Sequence, residues 1–128
     1  MTQNQTIIFV CEHGAAKSII AAAYFNKMAS EAGLDQRALA RGTHPQTELS
    51  QSAVTGLIQD GLTPTETIPQ ELSGNEINAA HRVISFCELP AAYQDKRDIE
   101  YWDEVPPVSE NYARARDMIL VKLKVLMK

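Results

Sequence analysis

The chain has 128 residues, 45% of them apolar, and a formal net charge of −4, which predicts one domain over residues 1–128 with an ordinary hydrophobic core. An acidic balance without a basic tract argues against nucleic acid as a partner, because phosphate-backbone affinity comes from clustered Lys and Arg, and no run approaches the ~20 apolar residues that cross a membrane. The polar start Met1-Thr2-Gln3-Asn4-Gln5 lacks the basic and apolar regions of a secretory leader, and two cysteines, Cys11 and Cys87, are too few for a disulfide framework, so a reducing, cytoplasmic location is expected.

Thr6 to Val10 reads as a short buried strand through Ile7, Ile8, Phe9 and Val10. A small-residue loop then leads to a helix expected from Ser18 to Met28, with Gly33 as its stop signal. Ala38-Leu39-Ala40-Arg41-Gly42 is the candidate second strand. Ser50 is placed to cap a helix that carries Val54, Leu57 and Ile58 on one side and ends at Asp60-Gly61. Thr63 to Pro69 is a loop, and Ser73 or Asn75 starts a short helix. Arg82 to Cys87 reads as a third buried strand and Ile99 to Trp102 as a short fourth. The last helix is expected to begin near Ser109, with Tyr112, Ala115, Ile119, Leu123 and Leu126 forming one apolar face and lysines at its C-terminus. This alternation, without repeats or an evident linker, predicts an α/β fold.

The chemistry is expected at Cys11-Glu12-His13-Gly14-Ala15-Ala16-Lys17-Ser18, a cysteine at the end of a strand followed by a small-residue loop and a helix. Binding crevices of parallel α/β sheets open at the carboxyl ends of strands, and a helix N-terminus with free amides attracts oxyanions. A field of that sign also favours a thiolate over a thiol. Three scattered histidines give no metal-site spacing, and His44 and His81 read as polar surface or capping residues. Arg114 and Arg116 are expected on a solvated helix face, and Trp102 as a packing anchor.

A strand-loop-helix with Cys, five residues, a basic residue and Ser resembles the signature loop of the low-molecular-weight protein tyrosine phosphatases and the related thioredoxin-coupled arsenate reductases. Arg41-Gly42-Thr43 is similar to the segment after that superfamily's second strand, Asp60-Gly61-Leu62 to its glycine turn, the strand ending in Cys87 to the reductases' third strand, and Tyr101-Trp102 to their Trp region. The resemblance covers nearly the whole chain and implies a three-layer α/β sandwich with a four-stranded parallel sheet. It implies Cys11 as a nucleophile that attacks phosphorus in line, Ser18 as support for the thiolate, and residues Glu12 to Lys17 as the oxyanion-binding loop. Gly14 stands where the family has a left-handed Asn, a conformation glycine reaches easily.

Lys17 departs from the family's arginine: the positive charge survives, the bidentate fork does not. Glu12 opposes anion approach unless its side chain points away, and His13 can serve as a donor. The family's acid is an Asp directly before a proline, whereas Val105-Pro106 stands there in this chain. Asp103 is the nearest candidate, with Glu104 beside it. The paired tyrosines of the phosphatases are missing, which argues against phosphotyrosine in particular. Cys87 matches the second cysteine of the reductases, but Glu88 to Tyr93 lacks the third. It reads equally as a possible redox partner of Cys11 or as a buried strand-end thiol. The expected function is a phosphocysteine phosphatase acting on a phosphorylated small molecule or protein without cofactor or metal. The alternatives are an arsenate reductase supplied by a thiol reductant, or a non-catalytic module that binds a phosphate or arsenate-like oxyanion.

Overall fold

The computed structural model describes residues 5–94 and 98–127. Most of the polar start and the terminal Lys128 lie outside these residues. In chain order the elements are β1 (Thr6–Cys11), α1 (Lys17–Glu31), β2 (Arg37–Gly42), α2 (Gln51–Gln59), α3 (Gly74–Ala79), β3 (Arg82–Ser85), α4 (Ala91–Gln94), β4 (Glu100–Tyr101) and α5 (Tyr112–Leu126). The strands form one parallel sheet in the order β2-β1-β3-β4, so the α/β reading of the sequence holds.

Strand alternation sorts β1 between two cores. Ile7, Phe9 and Cys11 face a cluster with Ile19 and Phe25 of α1, Leu57 of α2 and Ile119 of α5. Ile8 and Val10 face the opposite cluster, with Ile77 of α3, Val83 and Leu89. Both faces of β1 are therefore covered, which explains its unbroken apolar run. On the first face Phe9, Phe86 and Trp102 pack together, the Trp102 ring centroid 5.8 Å from each phenyl, so Trp102 is the packing anchor its sequence context suggested.

The order 2-1-3-4 fixes where a ligand goes. From β1 the chain turns outward to β2 on one side, whereas the crossover from β2 returns to β3 on the other, so connections leave the carboxyl ends of β1 and β3 in opposite directions and open a crevice there. Cys11 ends β1, and Val10 is in register with Ser85 of β3, which brings Cys87 to the same end of the sheet.

Several boundaries differ from the sequence reading. The third strand stops at Ser85 rather than Cys87, because the buried Ser85 hydroxyl accepts from the Cys87 amide at 3.2 Å and donates to the Cys87 carbonyl at 2.6 Å, folding the chain out of the sheet. The last helix starts at Tyr112, capped by the Asn111 side chain on the Arg114 amide, and Ser109 lies in the preceding turns. Ser50 caps α2 as expected, and of the two candidates Ser73 and Asn75 it is Ser73 that caps α3, in a capping box with Glu76. The short α4 follows Pro90 and was not evident in the sequence.

Asp60 does more than end a helix. It accepts hydrogen bonds from Tyr24 Oη of α1 at 2.5 Å, Tyr112 Oη of α5 at 2.8 Å and Arg116 Nη1 at 3.2 Å. Arg116 is thus a part-buried tie between α5 and Asp60 rather than a free member of a solvated face. Burial raises the Asp60 carboxyl, but these hydrogen bonds and the Arg116 charge outweigh it and hold the group below the usual carboxylate range. Burial, and then the bond to Asp60, push Tyr24 up to about 12.

Candidate active site

The loop after β1 is held from outside by the chain that follows β2. The amides of Thr43, His44, Gln46 and Ser50 donate to the carbonyls of Cys11, Glu12, His13 and Ala15, at 3.4, 2.7, 3.2 and 2.8 Å. In a planar trans peptide the N–H points opposite the C=O. Turning those carbonyls outward therefore turns the amides of Glu12, His13, Gly14 and Ala16 inward. Among the described residues no hydrogen bond takes the amides of Glu12 to Ala16. The first turn of α1 is equally unclaimed, because its N-cap is Ala16, which makes no side-chain cap, and its first turn carries no acidic residue. A ring of inward donors at an uncapped helix N-terminus is an anion nest.

Two glycines allow this arrangement. Gly14 has φ +61°, the left-handed conformation expected of it. Gly42 pairs in register with Cys11, and a Cβ there would stand 2.6 Å from the Gly14 nitrogen and 2.8 Å from the His13 carbonyl carbon. The loop thus lies backbone against backbone on the end of β2. Gly42 entered the sequence reading as the end of the candidate second strand and as part of a resembling segment. Its position at the same level as the cysteine was a signal that pairing alone could reveal.

Cys11 Sγ lies 3.0 Å from Ser18 Oγ, and Ser18 is fully buried. Ser18 spends its hydroxyl on the sulfur rather than on a helix cap, so it can donate to Cys11 as a thiolate. Around them is a cavity of about 490 Å³, lined on one side by the loop residues Cys11, Glu12, His13, Ala15, Ala16 and Lys17. Phe86, Pro107 and Val108 supply an apolar wall, and Gln46, Ser50 and Ser109 add polar groups. Lys17 is half-buried and, among the described residues, makes no ion pair. The Glu12 side chain is 62% exposed and stands 3.7 Å from His13 Nε2, so its charge sits at the rim rather than against the nest.

Cys87 lines the same cavity as Cys11. Burial pushes its thiol up and the charges of Cys11 and Glu12 add to this, against the lowering effect of the Ser85 hydrogen bond. Cys87 is therefore held as a thiol beside the loop. Its fixing by Ser85 was not foreseen from the sequence.

Asp103 is not brought to this site. It is exposed and lines a separate depression with Glu88, Gln94 and Tyr101. The reason lies next to it: Trp102 is drawn into the aromatic cluster, which leaves Asp103 facing solvent. Val105, which occupies the position of the resembling family's acid, is buried in the same core. Glu104 pairs with Lys122. The late loop meets the cavity only through Pro107, Val108 and Ser109. Among the described residues no group of three or more His, Cys, Asp or Glu is placed to hold a metal ion.

Residues 6–119 match the family model described as low molecular weight phosphotyrosine protein phosphatase. Solved structures share the fold at low identity. YfkJ from Bacillus subtilis is 15% identical with a TM-score of 0.85, over 98% of this chain and 94% of that one. A low molecular weight protein tyrosine phosphatase from T. tengcongensis is 18% identical with a TM-score of 0.80, over 97% and 98%. An arsenate reductase from Archaeoglobus fulgidus is 21% identical with a TM-score of 0.75, over 94% and 97%. No curated protein matches the chain.

Proposed function

The chain belongs to the low molecular weight phosphotyrosine protein phosphatase family, and from that premise we propose that it hydrolyses a phosphate monoester through a phosphocysteine on Cys11. The observation that carries this reading is the Cys11 sulfur, 3.0 Å from the Ser18 hydroxyl, in a loop whose Cys11, Glu12, His13 and Ala15 carbonyls are engaged by the chain after β2. Three equatorial phosphoryl oxygens need donors, and the amides of Glu12 to Ala16 are the donors left over. The thiolate attacks phosphorus from within the loop, the P–O bond to the leaving group breaks in line, and Ser18 supports the sulfur when it later leaves. Lys17 supplies the charge that family members deliver through an arginine, as a single ammonium without the planar fork. Lacking that fork costs turnover, so a weak phosphatase is expected.

The substrate is a phosphorylated small molecule or a protein side chain whose organic part rests on Phe86, Pro107 and Val108. A single-turnover assay of the reduced protein with an aryl phosphate tests the proposal over about pH 5 to 8. Release of phenol with phosphate retained on Cys11, abolished by Cys11→Ser, is the expected result. No release from protein that still binds phosphate overturns hydrolysis and leaves a module that only binds oxyanions.

One observation favours a second reading, thiol-linked arsenate reduction: Cys87 shares the cavity with Cys11. In that reaction arsenic gains two electrons from the two sulfurs, which end as a disulfide that an external thiol must reduce. Arsenate-dependent formation of a Cys11–Cys87 disulfide, read by mass spectrometry, is the observation this route requires.

A further inference from the structure

We infer that His13 transfers the proton that the leaving group needs, replacing a carboxylate from the late loop. The inference rests on the phosphocysteine reading above and adds the missing acid. Hydrolysis through Cys11 releases an alkoxide or phenoxide, and protonating that oxygen as the P–O bond breaks is worth a factor on the order of 100 or more in rate. The late loop brings no carboxylate to the cavity, because Val105 is buried in the core and Asp103 lines another depression.

Among the described residues the titratable side chains lining the cavity are Cys11, Glu12, His13, Lys17 and Cys87. Cys11 is the nucleophile, Lys17 faces the oxyanion, and the Cys87 thiol is pushed up and so holds its proton. Imidazole is the side-chain type that exchanges a proton between about pH 5 and 8.

His13 is also held for the task. Its Nδ1 is 3.2 Å from the His44 carbonyl oxygen. A carbonyl only accepts, so Nδ1 carries hydrogen and Nε2 is the nitrogen left for exchange. The same strap grips the His13 backbone, since the Gln46 amide donates to its carbonyl at 3.2 Å. The ring is half exposed and lines the cavity, and Glu12 stands 3.7 Å from Nε2. The other imidazole near it, His44, has its own Nδ1 engaged with Thr43 Oγ1 at 3.2 Å.

The proton balance closes over the two steps. As the Cys11–phosphorus bond forms, the imidazolium gives its Nε2 proton to the departing oxygen and becomes neutral. Water then attacks the phosphocysteine, Nε2 takes the water proton, and the sulfur leaves as a thiolate with its electron pair. Phosphate is released and both groups return to their starting states.

The test compares phenyl phosphate, whose leaving group needs the proton, with 2,4-dinitrophenyl phosphate, whose leaving group does not. His13→Asn retains an amide N–H that can reach the His44 carbonyl and deletes Nε2. His13→Gln is the second variant, and protection by inorganic phosphate against thermal unfolding reports that either variant keeps the nest. The expected result is a loss on the order of 100-fold with phenyl phosphate, with dinitrophenyl phosphate changed by no more than a few fold. The alkaline limb of the rate profile, where loss of the acid's proton lowers the rate, flattens in the variant. Equal losses with both substrates overturn the inference, as does selective loss with Asp103→Asn or Glu12→Gln instead. If the unaltered protein does not release even dinitrophenolate, the phosphatase reading falls and takes the role of His13 with it. Release of dinitrophenolate with no selective effect of His13 leaves that reading standing and removes His13 alone.

Discussion

Replacing Gly42 with alanine tests the central claim that the loop rests backbone to backbone on β2. The added Cβ would lie 2.6 Å from the Gly14 nitrogen and 2.8 Å from the His13 carbonyl carbon, where ordinary contact begins at 3.4 Å. Neither neighbour is a side chain that can rotate away. The loop must move by about 0.8 Å, yet the amides of His44 and Ser50 hold it by hydrogen bonds of 2.7 and 2.8 Å. Overpacking of this kind costs about 1–3 kcal/mol. At roughly 4 °C per kcal/mol for a domain of this size, the melting temperature falls by about 4–12 °C. The effect on function is larger. Displacement beyond about 0.5 Å takes donors out of productive geometry, so single-turnover phosphoryl transfer should fall on the order of 100-fold. Calorimetry with inorganic phosphate, thermal unfolding and the aryl phosphate assay read the three quantities on one preparation. A Gly42→Ala protein that melts within about 2 °C of the original and binds phosphate as tightly refutes the packing argument.

Lys17→Arg restores a planar fork to the loop and should raise turnover by about 10- to 100-fold, measured as kcat with an aryl phosphate; an unchanged or lower rate counts against the account of the loop. Asp60→Asn removes the charge on which Tyr24, Tyr112 and Arg116 converge, and should cost about 2–3 kcal/mol in urea unfolding at neutral pH. Because the folded Asp60 carboxyl is held below its ordinary value, its stabilisation is present above the unfolded pKa. It is lost as pH falls through the folded one, so the two proteins should converge in stability below about pH 4. Stability curves that stay parallel through the acid range would sink the assignment of that charge.

The fold class and the place of the chemistry were legible in local sequence. The apolar run Ile7 to Val10 read as a short buried strand, and Cys11 followed by small residues and a helix pointed to an oxyanion loop at that strand's end. Gly14 at positive φ and the caps Ser50 and Ser73 were equally local, because each depends on a few neighbouring backbone groups. What only the tertiary structure decided were relations between distant segments. The Gly42–Gly14 contact exists because β2 pairs with β1 in one register, and the outward carbonyls of the loop exist because residues 43–50 return past it. Asp103 stood near the resembling family's acid position along the chain, but Trp102 is committed to Phe9 and Phe86 on the core face, and the carboxylate beside it is turned to solvent. His13 gained its role the same way, through a carbonyl 31 residues further on. Local sequence sets what each segment can form; the direction in which a side chain finally points is settled by the packing of segments it cannot foresee.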